Sequence, residues 1–254
     1  MLKKIYISLT SIFQNQEILL ETLKSICCQT LKPDKIFLYL SEEPFLLDFG
    51  FANKLITNSD LNNFILNHDN YIILSWIKNT GPYRKLLPLL KDKFYEDCII
   101  ITIDDDTVYH QELIYNLYSD YIKQKCVINY RGFTPHTNKL TNFNYNLRQD
   151  IINKHIYNFP TGKGGILYHP SFFQKTEQLI FNEDIYLQHL PTVDDIWFYL
   201  VRICNGVDCY INYNEFMIKN NTNEYGLYKN FNLHKNTQLF LIGLDELKKI
   251  GYHL

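Results

Sequence analysis

The chain has 254 residues, a length that suits one large α/β domain or two small ones. Hydrophobic residues make up 46% and charged residues 20%, which is ordinary for a globular protein with a substantial core. The net charge of −2 and the pI near 6.4 create no global field that would attract phosphate backbones or anionic lipid. These values weigh against nucleic-acid binding through bulk electrostatics.

Cysteine spacing and the first ten residues indicate the compartment. The cysteines show no CxxC spacing, which favours buried free thiols in a reducing cytosol over a disulfide framework. Lys3-Lys4 followed by Ile5–Leu9 imitates a secretory signal, but this apolar stretch is short, so we interpret it as a first β-strand. No apolar run approaches the ~18 residues of a membrane span. We therefore expect a cytoplasmic protein, either free or held peripherally at a membrane. The cysteines are Cys27, Cys28, Cys98, Cys126, Cys204 and Cys209.

In the first half of the chain, apolar runs alternate with helical patterns. Strands that are apolar on both faces and separated by helices indicate a mainly parallel sheet covered on both sides. The predicted fold class is therefore α/β. The predicted strands are Ile5–Leu9, Lys35–Leu40, Tyr71–Leu74 and Cys98–Ile103, and the predicted helices are Glu17–Gln29, Leu61–Leu66, Tyr83–Leu90 and Gln111–Gln124.

The second half of the chain is less regular. Residues 135–158 are polar and rich in Asn, which predicts a long loop and a candidate lid. A glycine cluster at 161–165 precedes a predicted strand, Ile166–Tyr168, and a helix is predicted from Asp194 to Ile203. A short strand is predicted at Cys209–Tyr213. Because no linker or repeat interrupts the chain, we predict a single domain.

Three adjacent carboxylates, Asp104-Asp105-Asp106, follow the predicted strand Cys98–Ile103 directly. In open α/β sheets the ligand crevice lies at the carboxyl ends of the strands, so a site is expected here. Adjacent carboxylates repel one another unless a cation or ligand neutralises them, and oxygen-only ligation favours Mg²⁺ or Mn²⁺. The alternative is a turn in which Asp106 or Thr107 caps the next helix, but one Asp would be enough for that.

Two kinds of enzyme fit this carboxylate cluster. Asp104-x-Asp106 fits the nucleophile motif of haloacid-dehalogenase-like phosphatases, but those proteins normally carry it on the first strand. It also fits the metal-binding Asp-x-Asp motif of GT-A glycosyltransferases, which follows the fourth strand of a nucleotide-binding half. The position of the cluster, after about a hundred residues of sheet and helix, favours the second interpretation.

At this point the chain resembles the GT-A superfamily, and glycosyltransferase family 2 in particular. The match extends over roughly residues 5 to 205, and the order and spacing of the motifs carry it. The resemblance implies a GT-A-like fold with a nucleotide-sugar-binding half at residues 1–110 and an acceptor-side half at 111–254. The matching stretches are Ile7–Thr30, Lys35–Glu42, Gly81–Pro88 followed by Ile103–Asp106, and Gly164–Tyr168 followed by Thr192–Trp197.

On the donor side, the resemblance implies that Thr10, Ser11 and the acidic end of the second strand, Glu42, line the nucleoside pocket. Family members often have Asp at that strand end, so Glu42 is a departure. Lys85, or its neighbour Arg84, would approach the diphosphate or the base. A cation facing phosphate is a reasonable role for either residue.

For the metal, the resemblance implies that Asp104 and Asp105 contact the ribose and metal-bound water, with Asp104 also in the ligand set. Asp106 would be the direct ligand of Mn²⁺ or Mg²⁺. Some family members take a further ligand from a late histidine, and His234 is the candidate in the polar segment near the end of the chain.

On the acceptor side, the resemblance implies that Asp195 is the catalytic base and that Asp194 orients or tunes it. Two adjacent acids in a cleft raise the pKa of one of them toward the range of a useful base. Trp197 would stack on the acceptor sugar, although a core position is equally compatible with the pattern. Gly164 and Gly165 would allow backbone amides to approach a sugar or phosphate closely.

The expected function is transfer of a sugar, as in hexosyltransferases, from a UDP- or GDP-linked donor to a glycan or other hydroxyl acceptor, with inversion and with metal dependence. A single displacement through an oxocarbenium-like transition state is expected. Three alternatives stay open: a haloacid-dehalogenase-like phosphatase, a nucleotidyltransferase of the related fold, and a non-catalytic sugar-binding module.

Overall fold

A computed structural model describes residues 3–137, 139–213 and 224–254, together with the strand at 217–220. The central sheet begins with four parallel strands in the order β3-β2-β1-β4. Each hydrogen-bonds to its neighbour in parallel register, as in the pairing of Tyr6 with both Lys35 and Ile100. Their bounds are β1 (Lys4–Thr10), β2 (Lys35–Leu40), β3 (Ile72–Trp76) and β4 (Cys98–Thr102).

The predicted α/β class is confirmed, and the burial of β4 shows why the pattern was informative. All five residues of β4 are buried, because helices cover both faces of the sheet at its centre. The helices of this half are α1 (Gln16–Cys27), α2 (Ser59–Leu66) and α3 (Leu87–Asp92). The predicted strands and helices of the first half correspond to observed elements with small differences in their ends, apart from the stretch at Tyr83–Leu90.

The prediction of one continuous helix at Tyr83–Leu90 is wrong. Residues Gly81–Lys85 form a 3₁₀ helix, and α3 begins separately at Leu87. The cause is Pro88, which has no N–H and would clash with the carbonyl four residues earlier in a continuous helix. At the second position of a new helix Pro88 is tolerated, because no intrahelical donor is needed there. The break leaves Arg84 and Lys85 on the 3₁₀ helix, which lies at the edge of the cleft.

The second half of the chain adds four strands to the same sheet, giving the order β3-β2-β1-β4-β11-β6-β12-β9. Strand β11 runs antiparallel between β4 and β6, whereas β12 is parallel to β6. A smaller sheet has the order β10-β7-β8, and β5 pairs with β13. The bounds are β5 (Thr107–Tyr109), β6 (Val127–Asn129), β7 (Gly132–Pro135), β8 (Arg148–Gln149), β9 (Lys154–His155), β10 (Phe159–Pro160), β11 (Ile166–Tyr168), β12 (Cys209–Ile211) and β13 (Met217–Asn220).

Five further helices complete the described part of the chain. Helix α7 is the most deeply enclosed, because every residue from Ile196 to Ile203 is buried. Helix α8 packs on α6 and α7, and the sequence analysis did not predict it. The bounds are α4 (Leu113–Gln124), α5 (Glu177–Ile180), α6 (Glu183–His189), α7 (Asp194–Cys204) and α8 (Asn236–Lys249).

The polar segment at 135–158 is more ordered than predicted. It contains β8, β9 and a 3₁₀ turn at Leu140–Asn142, and its strands pair with both the large and the small sheet. No alternation of apolar and polar residues could reveal β8 and β9 in the sequence, because each strand has only two residues. All six cysteines are free, as predicted, although Cys28 is exposed rather than buried. No helix in the described part of the chain is long and apolar enough to cross a membrane.

Candidate active site

A cleft of about 640 Å³ opens at the carboxyl ends of β1 and β4. This volume is within the range of pockets that enclose small-molecule ligands and cofactors. One wall comes from the ends of β1 and β4 and from the 3₁₀ helix Gly81–Lys85. The opposite wall comes from the small sheet and from the first turn of α7. The cleft therefore joins the two halves of the chain that the sequence analysis distinguished.

Asp105 faces the start of α1. Its carboxylate accepts hydrogen bonds from Asn15 Nδ2 at 3.0 Å and from the Ser11 hydroxyl, and its carbonyl accepts one from Thr22 Oγ1 at 2.8 Å. Burial raises the pKa of Asp105 to about 7, and the charge of Asp106 adds to the increase, while the bonds from Ser11 and Asn15 oppose it. Asp105 and Ser11 therefore lie together at the cleft, and Thr10 lines it as well.

Asp106 lies at the other side of the same turn. Its Oδ1 accepts a hydrogen bond from Thr107 Oγ1 at 3.2 Å, and Lys163 Nζ lies 3.4 Å from Oδ2. Burial and the nearby charge of Asp104 raise the pKa of Asp106, whereas Lys163 lowers it. Asp104 points in a different direction, because its Oδ1 lies 3.2 Å from Lys85 Nζ.

The chemistry of these carboxylates fits a hard divalent cation only with help from a substrate. Asp104 and Asp106 supply oxygen ligands at an open cleft, which suits Mg²⁺ or Mn²⁺. Within residues 3–137, 139–213 and 224–254, no three carboxylate, imidazole or thiol side chains converge closely enough to hold a metal by themselves. A cation here would therefore take its remaining ligands from water and from substrate phosphates, which is common for Mg²⁺.

The structure does not bring His234 to this cluster. His234 is exposed and lines a separate surface hollow formed with residues of α8, including Leu241 and Glu246. The structure therefore places His234 apart from the carboxylates that were predicted to share a metal with it. The sequence showed only that His234 lies in a polar segment, and its position relative to the cleft depends on how the segment before α8 is packed.

Lys85 is enclosed by carboxylates. Its Nζ lies 2.8 Å from Asp194 Oδ2, 3.2 Å from Asp104 Oδ1 and 3.9 Å from Asp195 Oδ1, and the residue is buried. Burial alone would lower the pKa of Lys85, but the three carboxylates together raise it well above its ordinary value. The ammonium group is thus a shared counter-ion that holds the start of α7 against the end of β4.

Asp194 and Asp195 have different surroundings although they are adjacent. The Asp194 side chain is 9% exposed and pairs with Lys85, whereas the Asp195 side chain is 28% exposed and its Oδ2 accepts a hydrogen bond from Gly162 N at 3.0 Å. Burial raises the pKa of Asp195 to about 7, with Lys85 opposing the increase and Asp194 adding to it. Asp195 is the more exposed of the two carboxylates that line the cleft, and its pKa is in the range of a base.

The glycine that approaches this centre is Gly162. A Cβ atom on Gly162 would lie 2.7 Å from Lys85 Nζ and 3.0 Å from Asp104 Oδ1, so a side chain would displace the ion pairs. The predicted residues, Gly164 and Gly165, do not line the cleft. Gly164 packs against the backbone of Arg131, and Gly165 adopts φ +72 at the start of β11. Of this glycine cluster, the structure thus places Gly162 in the lining of the cleft, in place of the two predicted residues.

Trp197 is a core residue. Its side chain is fully buried, and its Nε1 donates a hydrogen bond to the carbonyl of Ile180 at 3.1 Å. The ring packs near Tyr186 in the layer between α6 and α7. Stacking of an acceptor sugar on Trp197 is excluded by this burial. A tryptophan two residues after a functional acid faces away from it, because successive helical residues differ by about 100° in direction.

After β2, the acidic residue that lines the cleft is Asp48 rather than Glu42. Glu42 is exposed and does not line the cleft. Asp48 is buried, and its Oδ2 accepts hydrogen bonds from Arg84 Nη2 at 3.0 Å and from Asn79 Nδ2 at 2.9 Å. Burial lowers the pKa of Arg84, with Asp48 opposing that effect. The sequence analysis missed Asp48 because the loop after β2 folds back over several residues, which a strand-end motif cannot reveal.

A group of aromatic and basic side chains on the small sheet was also missed. Phe133 stacks on Phe159 with ring centroids 5.1 Å apart, and Tyr145 meets both rings edge to face. Arg148 lies over the Phe133 ring, and Arg131 borders the same wall. Only the abundance of tyrosine and phenylalanine in the sequence was a signal for this wall.

Comparisons with known proteins agree with this architecture. TarS residues 1–349 of S. aureus, in a complex with UDP-GlcNAc, superimpose with a TM-score of 0.59 at 12% identity, covering 99% of this chain and 68% of that chain. The 2-C-methyl-D-erythritol 4-phosphate cytidylyltransferase of Francisella tularensis gives a TM-score of 0.52 at 15% identity, covering 91% of this chain and 100% of that chain.

The chain has a GT-A-like fold. At these identities the similarity concerns the fold. No protein-family model and no curated protein sequence matches the chain. In this GT-A-like fold, the cleft lies where the parallel strands of the first half of the chain end, as expected for open α/β sheets.

Proposed function

We propose that this protein is a glycosyltransferase that moves a sugar from a nucleotide sugar to an acceptor hydroxyl with inversion. One observation carries the proposal. Asp195, a partly exposed carboxylate with a pKa raised to about 7, lies in the same cleft as Asp104 and Asp106. A base poised near neutral pH beside a polar, carboxylate-lined wall suits deprotonation of a hydroxyl next to a nucleoside diphosphate.

The reaction would be a single displacement. Asp195 takes the proton of the acceptor hydroxyl while that oxygen forms a bond to the anomeric carbon of the donor sugar. The bond between the anomeric carbon and the diphosphate oxygen breaks, and the nucleoside diphosphate leaves with the electron pair. Lys163, which pairs with Asp106, lies where it can stabilise negative charge on that leaving group. A divalent cation bound by Asp104 and Asp106 would neutralise the same charge.

The donor is expected to be a UDP- or GDP-linked sugar. TarS binds UDP-GlcNAc and UDP in its crystal structures, which supports a nucleotide-sugar donor for a protein of the same fold. Thr10, Ser11 and the Arg84–Asp48 pair line the part of the cleft where the nucleoside would bind. The buried guanidinium of Arg84 would keep this wall rigid and so fix the position of the donor.

A nucleotidyltransferase is the second candidate, because the fold is also that of cytidylyltransferases. Such an enzyme binds a nucleoside triphosphate and needs basic side chains or a glycine-rich loop after the first strand. Here β1 is followed by Ser11-Ile12-Phe13, which supplies neither. A haloacid-dehalogenase-like phosphatase would normally carry its nucleophilic Asp on the first strand, whereas Asp104 follows β4. Both features favour the glycosyltransferase.

The test is to incubate the protein with a panel of UDP- and GDP-sugars and Mn²⁺, with and without mixed glycan acceptors, and to measure released nucleoside diphosphate. Donor turnover that is lost in Asp195→Asn supports the proposal. Release of pyrophosphate from a nucleoside triphosphate and a sugar phosphate would indicate the nucleotidyltransferase instead. Release of phosphate from a phosphomonoester would indicate the phosphatase. Donor binding without turnover in any condition would indicate a sugar-binding module.

A further inference from the structure

The cations that line the cleft divide into two groups. In the first group each cation has a carboxylate partner: Arg84 pairs with Asp48, Lys85 with Asp194, and Lys163 with Asp106. Arg131 and Arg148 on the opposite wall, and the exposed Lys229, have none within salt-bridge distance among the residues that the structure describes. The positive charge of that wall is therefore not balanced by the described part of the chain.

Arg148 is held in place by aromatic rings. Its guanidinium carbon lies 4.3 Å from the centre of the Phe133 ring and 5.8 Å from that of Tyr145. The backbone of Arg148 pairs with Pro135 in the small sheet. Stacking on a ring leaves the N–H groups at the edge of the guanidinium plane free to bind a planar or tetrahedral anion. The arginine is thus oriented before any ligand binds.

Arg131 is tied to the catalytic centre. Its Nη1 donates a hydrogen bond to Thr161 Oγ1 at 2.8 Å, and its carbonyl accepts one from Thr161 N at 3.0 Å. The next residue, Gly162, donates to Asp195. Tyr145 is near all three groups, since its ring centre lies 5.8 Å from the Arg148 guanidinium carbon and the charges of Asp195 and Arg131 act on its hydroxyl. An anion held by both arginines would therefore sit beside the hydroxyl that Asp195 deprotonates.

We propose that the acceptor carries an anionic group, phosphate or carboxylate, which Arg131 and Arg148 bind next to the accepting hydroxyl. This inference rests on the proposed function, since it names the class of acceptor for that site. The diphosphate of the donor is not the expected partner of these arginines. It would lie by Asp106 and Lys163, on the wall formed by the ends of β1 and β4.

The test uses calorimetry on the full chain saturated with UDP or GDP, whichever binds. Three matched probes are titrated: glycerol 3-phosphate, glycerate and glycerol. We expect one or both anions to bind, and glycerol not to bind. Arg148→Gln and Arg131→Gln should each weaken anion binding by about tenfold to a hundredfold, the range for a hydrogen bond to a charged group. Arg148→Lys keeps the charge without the planar fork and should recover part of the affinity.

Lys139→Gln is the matched control, because Lys139 is an exposed cation in the same polar segment as Arg148, residues 135–158, and does not line the cleft. It should leave anion binding unchanged, and nucleotide affinity should stay within about twofold in all variants. Melting temperatures show whether a variant is folded.

The proposal is overturned if neither anion binds, if Arg148→Gln and Arg131→Gln bind the anions as the wild type does, or if both lose UDP or GDP instead. Failure of the proposed function looks different: no nucleotide binds at all. The anion titration on the nucleotide-free protein then still decides whether these arginines form an anion site.

Discussion

Replacing Lys85 with methionine tests whether this lysine lowers the pKa of Asp195, the proposed catalytic base. Methionine keeps the length of the side chain and removes its charge. The distance from Lys85 Nζ to Asp195 Oδ1 is 3.9 Å. Two unit charges at this distance interact by about 4 kcal/mol at an effective dielectric constant near 20. That energy corresponds to about 3 pH units, which is an upper limit for the change in the pKa of Asp195.

The expected change is smaller, because Asp194 and Asp104 lie closer to the ammonium and share it. We expect the pKa of Asp195 to rise by about 1–2 pH units. In the wild type, Asp195 must be ionised to act as a base, so kcat/KM should rise with pH through about 7. In Lys85→Met, the midpoint of this rise should move to higher pH.

The same substitution should lower stability. Removing one partner of a buried ion pair costs about 3–5 kcal/mol, because the remaining carboxylates are left without a counter-ion. The carboxylates of the variant should have raised pKa values in the folded state, so the folded variant binds more protons than the unfolded chain. The lost stability should therefore be partly recovered toward pH 5 and be greatest above about pH 8.

The assays are the pH profile of kcat/KM and urea unfolding at several pH values. Lys163→Met is the matched control, since Lys163 also lines the cleft but pairs with Asp106. It should reduce turnover without moving the acidic limb that reports Asp195. If Lys85→Met keeps the wild-type midpoint, or if its loss of stability is the same at pH 5 and pH 8, Lys85 does not act on Asp195 as a counter-ion.

Further predictions concern single substitutions in the cleft and the core. Asp195→Asn should lower kcat by about 10²–10⁴ while donor affinity barely changes. Asp194→Asn should cost less turnover, and normal turnover in both variants would place the base elsewhere. Asp106→Asn and excess chelator should each remove most transfer activity, with Mn²⁺ or Mg²⁺ restoring the chelated enzyme, whereas full activity in chelator would contradict metal dependence. Because the pKa of Asp105 is raised to about 7, the folded protein binds this proton more tightly than the unfolded chain does. The free energy of unfolding of the wild type should therefore decrease as the pH rises from about 4 to about 7. Asp105→Asn stays neutral, so it should melt at a higher temperature than the wild type at pH 8 but not at pH 4. Trp197→Ala should lower the free energy of unfolding by about 3–5 kcal/mol, as expected for a core aromatic, and a change in acceptor KM without loss of stability would contradict the core position.

The parallel half of the sheet could be predicted from the sequence because its signals are local. Strand β4 is a run of apolar residues, and Asp104 follows it within two residues. A strand that is apolar on both faces must be covered on both faces, and the site of an open α/β sheet lies at the carboxyl ends of its strands. The same reasoning placed Asp195 at the start of a helix. These inferences need no knowledge of which segments meet.

The composition of the rest of the site depends on which distant segments approach one another. Lys85 belongs to the carboxylate centre because Pro88 divides the predicted helix and leaves the 3₁₀ helix facing α7. Asp48 lines the cleft and Glu42 does not, because the loop after β2 folds back onto Arg84. Helical periodicity and motif spacing describe the chain over a few residues, whereas these contacts join residues about 36 to 110 positions apart.

The antiparallel part of the sheet and the cleft wall formed by the small sheet show the same limit of prediction from local sequence. Strands β8, β9 and β10 have two residues each, too few for an alternating pattern, and they are stabilised by pairing with strands far along the chain. That pairing brings Arg131, Phe133 and Arg148 to one wall of the cleft. The sequence by itself determined the parallel half of the sheet and the carboxylates that follow it. Only tertiary packing decided the wall formed by the small sheet, because its short strands are stabilised by long-range contacts rather than by local pattern.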